Sequence, residues 1–231
     1  MSGTADSKNI AVILVPHAGG DRLSYAPLIK GLSDGGDVFF YEPAGHGKRA
    51  GEAAPDGYEA VLEELVGFIK DIASDHEKYI LCGDSMGAYL CDNAYGRLVR
   101  DNERLPVHVV YAAVDPSADL HRHSVEEIIE KSSDPTFIYA DNHYSRYLRG
   151  ILEKDIELLM QADAAFGARL QCPMSFFAGK DDRLLGKITC DWSGLAPCGY
   201  REYLFEGGHL FMTANKNVIT TLMTIRDRIQ G

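Results

Sequence analysis

No run of about 18 apolar residues occurs anywhere in this sequence, so a membrane-spanning helix has no candidate segment. The opening stretch, MSGTADSKN, is small and polar and has no apolar core to serve as a secretion signal. Paired cysteines are missing too. The five present, Cys82, Cys91, Cys172, Cys190 and Cys198, are odd in number and form no CxxC, which argues against a disulfide framework and against a zinc knuckle. Reduced thiols in a soluble, cytoplasmic protein are the expectation. Basic charge is also scarce: 23 Lys and Arg against 34 Asp and Glu leave a net charge of −11. No broad positive field is therefore available to hold nucleic acid or an anionic membrane surface. Internal repeats and low-complexity tracts are absent. What remains is 231 residues of ordinary globular composition, 45% hydrophobic and 25% charged, enough for one sizeable core. A single domain over 1–231 is expected, and nothing demands more than a monomer.

Short apolar or β-branched runs alternate with longer amphipathic stretches, the pattern of βα units around a mainly parallel, buried central sheet flanked by helices. The fold class is α/β. IAVILVP (10–16) reads as a central strand because its apolar run is continuous, and it ends in HAGG, where two glycines permit an unusual turn. Further strands are expected at VFFYEP (38–43), KYILCG (78–83), VHVVYAAVD (107–115), PMSFFAG (173–179) and YREYLFEGG (200–208). Helices are expected near YAPLIKGL, over Tyr58 to Ser74, after Ser85, and over NVITTLMTIRDRI. The Tyr58 to Ser74 helix follows from apolar residues at 61, 62, 65, 68, 69 and 72 with Glu59, Glu63, Glu64 and Lys70 opposite. AGHGKRAGE is too rich in glycine to be anything but loop. Residues 117 to about 171 contain no strand-like run and read as a helical insertion over the sheet.

The segment ILCGDSMGAYL (80–90) carries the chemistry. GxSxG is a short pattern, but here a buried strand leads in and a helix leads out, the arrangement that lifts a serine hydroxyl to the top of a sheet. Gly83 and Gly87 suit a turn with no room for side chains on either flank. Ser85 or Asp84 capping the following helix is the competing reading, of comparable weight when the segment is taken alone. A serine nucleophile requires a histidine base oriented by a carboxylate. LFEGGHLF places His209 in a Gly-rich turn after a strand, and FFAGKDDR places Asp181 and Asp182 at the end of the strand before it. Catalytic groups collect at strand C-termini in open α/β sheets, and the order Ser, Asp, His is more specific than GxSxG alone. An oxyanion hole needs two backbone N–H donors. Met86, at the start of a helix, supplies one, and PHAGG supplies the other from Ala18 or His17. No metal is expected: His17 has no ligand partner at suitable spacing, and the HRH at 121–123 reads as a solvated cluster.

VPHAGG, GDSMGAY, AGKDD and FEGGHLFM resemble, in order and spacing over nearly the whole chain, the type II thioesterases that accompany nonribosomal peptide and polyketide synthetases. The resemblance implies an α/β-hydrolase fold with a helical lid at about 117–171. It also implies hydrolysis of stalled or misprimed acyl groups from the phosphopantetheine arm of acyl or peptidyl carrier proteins, with no cofactor. It assigns Ser85 as nucleophile, His209 as base and Asp182 as orienting acid, because the family pattern is Gly, two residues, then Asp. Asp115 is the rival acid, since synthase-embedded relatives hold theirs on that earlier strand. Asp84 departs from the histidine usual before the serine and puts a further carboxylate beside the nucleophile. Phe137, Tyr139, Tyr144 and Tyr147 are candidate walls of the acyl pocket, with simple packing of the lid as the plainer role. Lys48 with Arg49, and Arg97 with Arg100 and Arg104, are candidate docking patches for an acidic carrier. A coenzyme A thioesterase, a small-ester esterase, or a non-catalytic protein on the same fold are the alternatives.

Overall fold

The computed structural model describes residues 10–117, 122–161, 166–185 and 191–230, without the side chains of Pro135 and Phe137. The polar N-terminal stretch, His121, Cys190 and the Phe137 side chain, all weighed above, lie outside the described residues.

Six strands, β1 (Ala11–Val15), β2 (Val38–Phe40), β3 (Tyr79–Asp84), β4 (His108–Ala112), β5 (Met174–Gly179) and β6 (Tyr200–Phe205), form one sheet in the order β2-β1-β3-β4-β5-β6. Every described pairing is parallel, and the register runs straight across the middle, Leu14 beside Cys82 and Cys82 beside Val110. The continuous apolar run of β1 follows from burial on both faces. Ala11, Ile13 and Val15 point into one cluster, while Val12 and Leu14 point into the other.

Helices α1 (Ala26–Ser33), α2 (Tyr58–Asp75), α3 (Met86–Arg100) and α8 (Lys216–Gln230) cover the two faces. α2 and α3 lay Leu62, Leu65, Ile69, Leu90 and Leu98 on the first, whereas α1 and α8 lay Leu28, Leu32, Leu222 and Ile225 on the second. Each such side chain taken from water contributes about 1.5–3 kcal/mol. The sequence expectations for these strands and helices agree with the structure to within a few residues at their ends, because both periodicities are strong here. None of the described helices is long and apolar enough to cross a membrane.

Between β4 and β5 the described chain forms α4 (Val125–Ser132), α5 (Pro135–Ile138) and α6 (His143–Gln161), and no strand. Ser124 starts α4 with a reciprocal capping box: its side chain accepts from the Glu127 amide while Glu127 accepts from the Ser124 amide. These helices share a small core of Ile128, Ile129, Ile138 and Ile156, separate from the two sheet cores. Ala18 and Leu184, from loops at the C-terminal end of the sheet, pack against it. A short helix, α7 (Phe211–Ala214), follows β6. Because β1 lies between β2 and β3, the crossovers diverge there and leave a crevice at the strand C-termini, where ligands bind in open α/β sheets.

Candidate active site

β3 delivers Ser85 to this crevice. The serine has φ 52° and ψ −114°, a conformation that costs a non-glycine residue on the order of 1–3 kcal/mol. The flanking glycines make the turn possible: a Cβ at Gly83 would run into the Gly87 carbonyl, and a Cβ at Gly87 into the Val15 carbonyl. The turn is held from outside by the Ser85 amide, which donates to the Ala112 carbonyl of β4 at 2.8 Å. Ser85 occupies the position before α3, yet its side chain does not cap the helix. Its Oγ lies 2.8 Å from His209 Nε2 instead.

His209 comes from the turn after β6. That turn is pressed against the end of β5, where a Cβ at Gly179 would meet the carbonyls of Gly207 and Gly208. The imidazole Nδ1 lies 2.8 Å from Asp182 Oδ2. Asp182 Oδ1 accepts the amides of Leu184 at 2.9 Å and Leu185 at 3.1 Å, so the carboxylate is fixed at both oxygens. Both residues are buried. Three loops, after β3, β5 and β6, thus bring hydroxyl, imidazole and carboxylate into one hydrogen-bonded row. The other acids weighed as partners of His209, Asp181 and Asp115, stand outside this row, although Asp115 lines the same cavity as Ser85 and His209. Asp181 is exposed. Asp115 binds the amide and hydroxyl of Ser117 at 2.8 and 2.6 Å, closing a local turn.

The loop after β1 has a marked pattern of amide use. The His17 amide donates to Tyr25 Oη at 3.0 Å, the Gly19 amide to Asp155 Oδ2 at 2.7 Å, and the Gly20 amide to the His17 carbonyl at 2.9 Å. Among the described residues the Ala18 amide has no such partner. Met86 is the first residue of α3, so its amide has no acceptor within the helix. Ala18, Ser85 and Met86 line one cavity of about 810 Å³. His17, one of the two donors considered for this loop, spends its amide on Tyr25.

The rest of that cavity has an aliphatic roof and polar or charged groups at Asp21, Asp115, Arg122, His123 and Asp134. Ile128, Ile138, Leu148, Leu152, Ile156 and Met160 of α4 to α6 roof it. The tyrosines expected there divide: Tyr144 lines the cavity, whereas Tyr139 and Tyr147 do not and are 40% and 44% exposed. Arg149 sits over the Tyr139 ring, 5.6 Å from its centroid. The arginines nominated as docking patches are engaged within the fold. Arg49 pairs with Glu52 and Glu64, Arg97 with Glu59 and Arg100 with Asp101, while Arg104 donates to the carbonyls of Ala73 and His76. Glu59 and Glu64 lie far from their arginines in sequence, whereas Glu52 and Asp101 are local partners. Among the described residues no group of three or more His, Cys, Asp or Glu could hold a metal ion, His17 and His123 included.

A family model described as thioesterase domain matches residues 11–229. The chain belongs to the thioesterase domain family. A curated relative, a probable cadicidin biosynthesis thioesterase of Streptomyces griseus, is 22% identical over 229 residues. The match covers 94% of this chain, which spans only 62% of that relative's length. Among solved structures, the thioesterase-family fold seen here is shared with ClbQ of the colibactin NRPS/PKS pathway, at TM-score 0.74, 20% identity, and 96% and 97% of the two chains covered. RedJ, the thioesterase of the prodiginine biosynthetic pathway in Streptomyces coelicolor, superposes at TM-score 0.72 and 20% identity over 93% of this chain and 85% of its own.

Three residues of this thioesterase-family site escaped the sequence reading: Tyr25, His46 and Asp155. His46 Nε2 lies 2.9 Å from the same Asp155 oxygen that holds Gly19, and its Nδ1 lies 3.2 Å from the Ala44 carbonyl. No local pattern could have joined Asp155, inside α6, to loops more than a hundred positions earlier. Asp84 is also placed by the structure. It is buried, it does not cap α3, and its Oδ2 accepts from Tyr25 Oη at 2.6 Å.

Proposed function

We propose that this protein is a serine thioesterase that hydrolyses acyl thioesters from the phosphopantetheine arm of carrier proteins in polyketide or nonribosomal peptide synthesis. The observation that carries the reading is the row Ser85, His209, Asp182 opening into a cavity of about 810 Å³ roofed by aliphatic side chains. A cavity of this size and lining suits an acyl chain. The pathways named for ClbQ, RedJ and the Streptomyces griseus relative support the carrier-bound form of the substrate.

In the proposed cycle His209 Nε2 takes the Ser85 proton as Oγ attacks the thioester carbonyl, and Asp182 stabilises the resulting imidazolium. The amides of Ala18 and Met86 donate to the oxyanion, the second helped by the N-terminal dipole of α3. The C–S bond breaks, the pantetheine thiolate takes the proton from His209, and an acyl-Ser85 ester remains. Water then attacks the ester, giving its proton to His209. The imidazolium returns that proton to Ser85 Oγ, and the free acid departs.

The test is intact-mass measurement of an acylated carrier protein incubated with the enzyme, beside the matching coenzyme A thioester and a p-nitrophenyl ester. Faster loss of the acyl group from the carrier than from either small substrate, abolished by Ser85→Ala, is the expected result. Equal or better turnover of the small ester would replace this reading with an esterase. A folded protein that a fluorophosphonate probe fails to label would replace it with a binding role.

A further inference from the structure

Helix α6 meets the loop after β1 at two neighbouring side chains. Leu152 packs so closely on Gly19 that a Cβ there would lie 2.9 Å from Leu152 Cγ, and Gly19 itself has φ +73°. Asp155, three residues on and therefore on the same face of α6, accepts the Gly19 amide at 2.7 Å. The same Oδ2 atom faces His46 Nε2 at 2.9 Å, and the His46 ring is anchored at its other nitrogen by the Ala44 carbonyl. His46 and Asp155 are both buried, 5% and 8% exposed. One carboxylate oxygen thus joins three separate segments: α6, the loop after β1 and the loop after β2. Gly19 is adjacent to Ala18, whose amide has no hydrogen-bond partner among the described residues. Ile156, the residue after Asp155 in α6, faces the cavity.

We infer that Asp155 is a positioning residue for the oxyanion hole. Held by His46, it fixes the Gly19 amide and thereby aims the Ala18 amide, so the hole is complete only while α6 is seated on the body. This rests on the proposed role of Ala18 in the thioesterase reaction. A donor displaced by a fraction of an ångström loses much of its value to the transition state while ground-state binding is little changed. His46 and Asp155 touch no reacting atom. Their effect on turnover runs through Gly19.

The experiment compares wild type with Asp155→Leu, Asp155→Asn and His46→Gln by hydrolysis of a soluble p-nitrophenyl ester and by inhibition with a boronic acid that forms a tetrahedral anion on the nucleophile. For Asp155→Leu, kcat should fall about 10- to 100-fold with KM changed less than about threefold, and boronate affinity should fall in parallel. Asp155→Asn, which keeps an acceptor for Gly19, should recover most of both. His46→Gln should fall between them. Equal changes in KM and kcat, or a folded Asp155→Leu with wild-type kcat, would overturn the inference. Hydrogen exchange at the Gly19 amide, read by NMR, does not depend on catalysis. Its protection should drop in Asp155→Leu and persist in Asp155→Asn, and unchanged protection in both would reject the clamp. Wild type without esterase activity but with a protected, Asp155-dependent Gly19 amide would fault the proposed reaction and leave the clamp standing. Should Asp155→Leu fail to fold, His46→Gln and Asp155→Asn carry the same kinetic and exchange comparison.

Discussion

Tyr25 and Asp84 form a 2.6 Å hydrogen bond behind Ser85, with the phenol donating to Oδ2. The same phenol oxygen accepts the His17 amide at 3.0 Å, so the residue before Ser85 is tied through Tyr25 to the loop that carries Ala18. The carboxylate that looked anomalous beside the serine acts as an internal brace. It does not enter the row formed by His209 and Asp182.

Removing the phenol oxygen tests that brace. Tyr25→Phe leaves the buried Asp84 Oδ2 and the half-buried His17 amide without their partner, at a cost of about 1–3 kcal/mol for the buried group and less for the amide. We expect the urea midpoint to fall and kcat to drop several-fold with little change in KM. Denaturation followed by tryptophan fluorescence, alongside ester hydrolysis, checks both halves. A variant with full stability and full turnover would show that the bond is dispensable.

The charge on Asp84 has its own signature. Burial pushes this carboxyl above the usual range, opposed by the charge of His17, the Tyr25 hydrogen bond and the charge of His209, with Asp182 adding to the rise. Its Oδ1 is buried and has no hydrogen-bond partner among the described residues. An acid raised in the native state binds its proton more tightly there than when unfolded, so its ionisation destabilises the fold. The penalty is absent below the unfolded value of about 3.9 and complete above the raised native one. Relative to wild type, Asp84→Asn should therefore gain stability as pH rises through that window. A stability difference independent of pH would mean that Asp84 is not shifted.

For the carboxylate partner of His209, geometry ranks the rivals. Asp182→Asn should lower kcat by about 10⁴-fold, since the amide no longer favours the productive tautomer of the imidazole. Asp115→Asn changes the Ser117 turn and a part of the cavity wall and should leave kcat within about twofold, as expected of a substitution outside the hydrogen-bonded row. Steady-state hydrolysis of one ester by both variants suffices, and the opposite ranking would move the role to Asp115.

His46 makes the seating of α6 sensitive to pH. Burial alone would lower its pKa, but the hydrogen bond and charge of Asp155, the Ala44 carbonyl and the charge of Asp21 together raise it. A histidine raised in the folded state stabilises fully below its unfolded value of about 6.5, and that contribution is lost as pH rises through the folded value. The melting temperature of wild type minus that of His46→Gln should accordingly be largest in mildly acidic buffer and shrink toward alkaline pH. A difference that grows with pH would contradict the pairing.

Local pattern alone determined much of this protein. The strands were legible because a sheet covered on both faces demands continuous apolar runs such as AVILV, and α2 was legible because a helix with one wet face repeats its apolar residues every three to four positions. Gly83 and Gly87 announced the serine turn because backbone packing there excludes any Cβ. GDSMG, AGKDD and EGGH offered Ser85, the pair Asp181 and Asp182, and His209 for the same reason, each being a turn at a strand end, while the choice of Asp182 within the pair came with the resemblance to thioesterases. Tertiary structure decided the rest. Whether Ser85 caps α3 or meets His209, and whether Asp182 or Asp115 reaches the imidazole, depends on which loops the strand order brings together. Asp84 acquires its role only from Tyr25, 59 positions away, and Asp155 from Gly19 and His46, 136 and 109 positions away. Of the tyrosines read as pocket walls, Tyr144 lines the cavity while Tyr139 and Tyr147 stand outside it, and Arg49, Arg97 and Arg100 are paired with carboxylates within the fold. Residue type reports what a side chain is able to do, while its neighbours in space, here aliphatic cavity walls and opposing carboxylates, decide what it does.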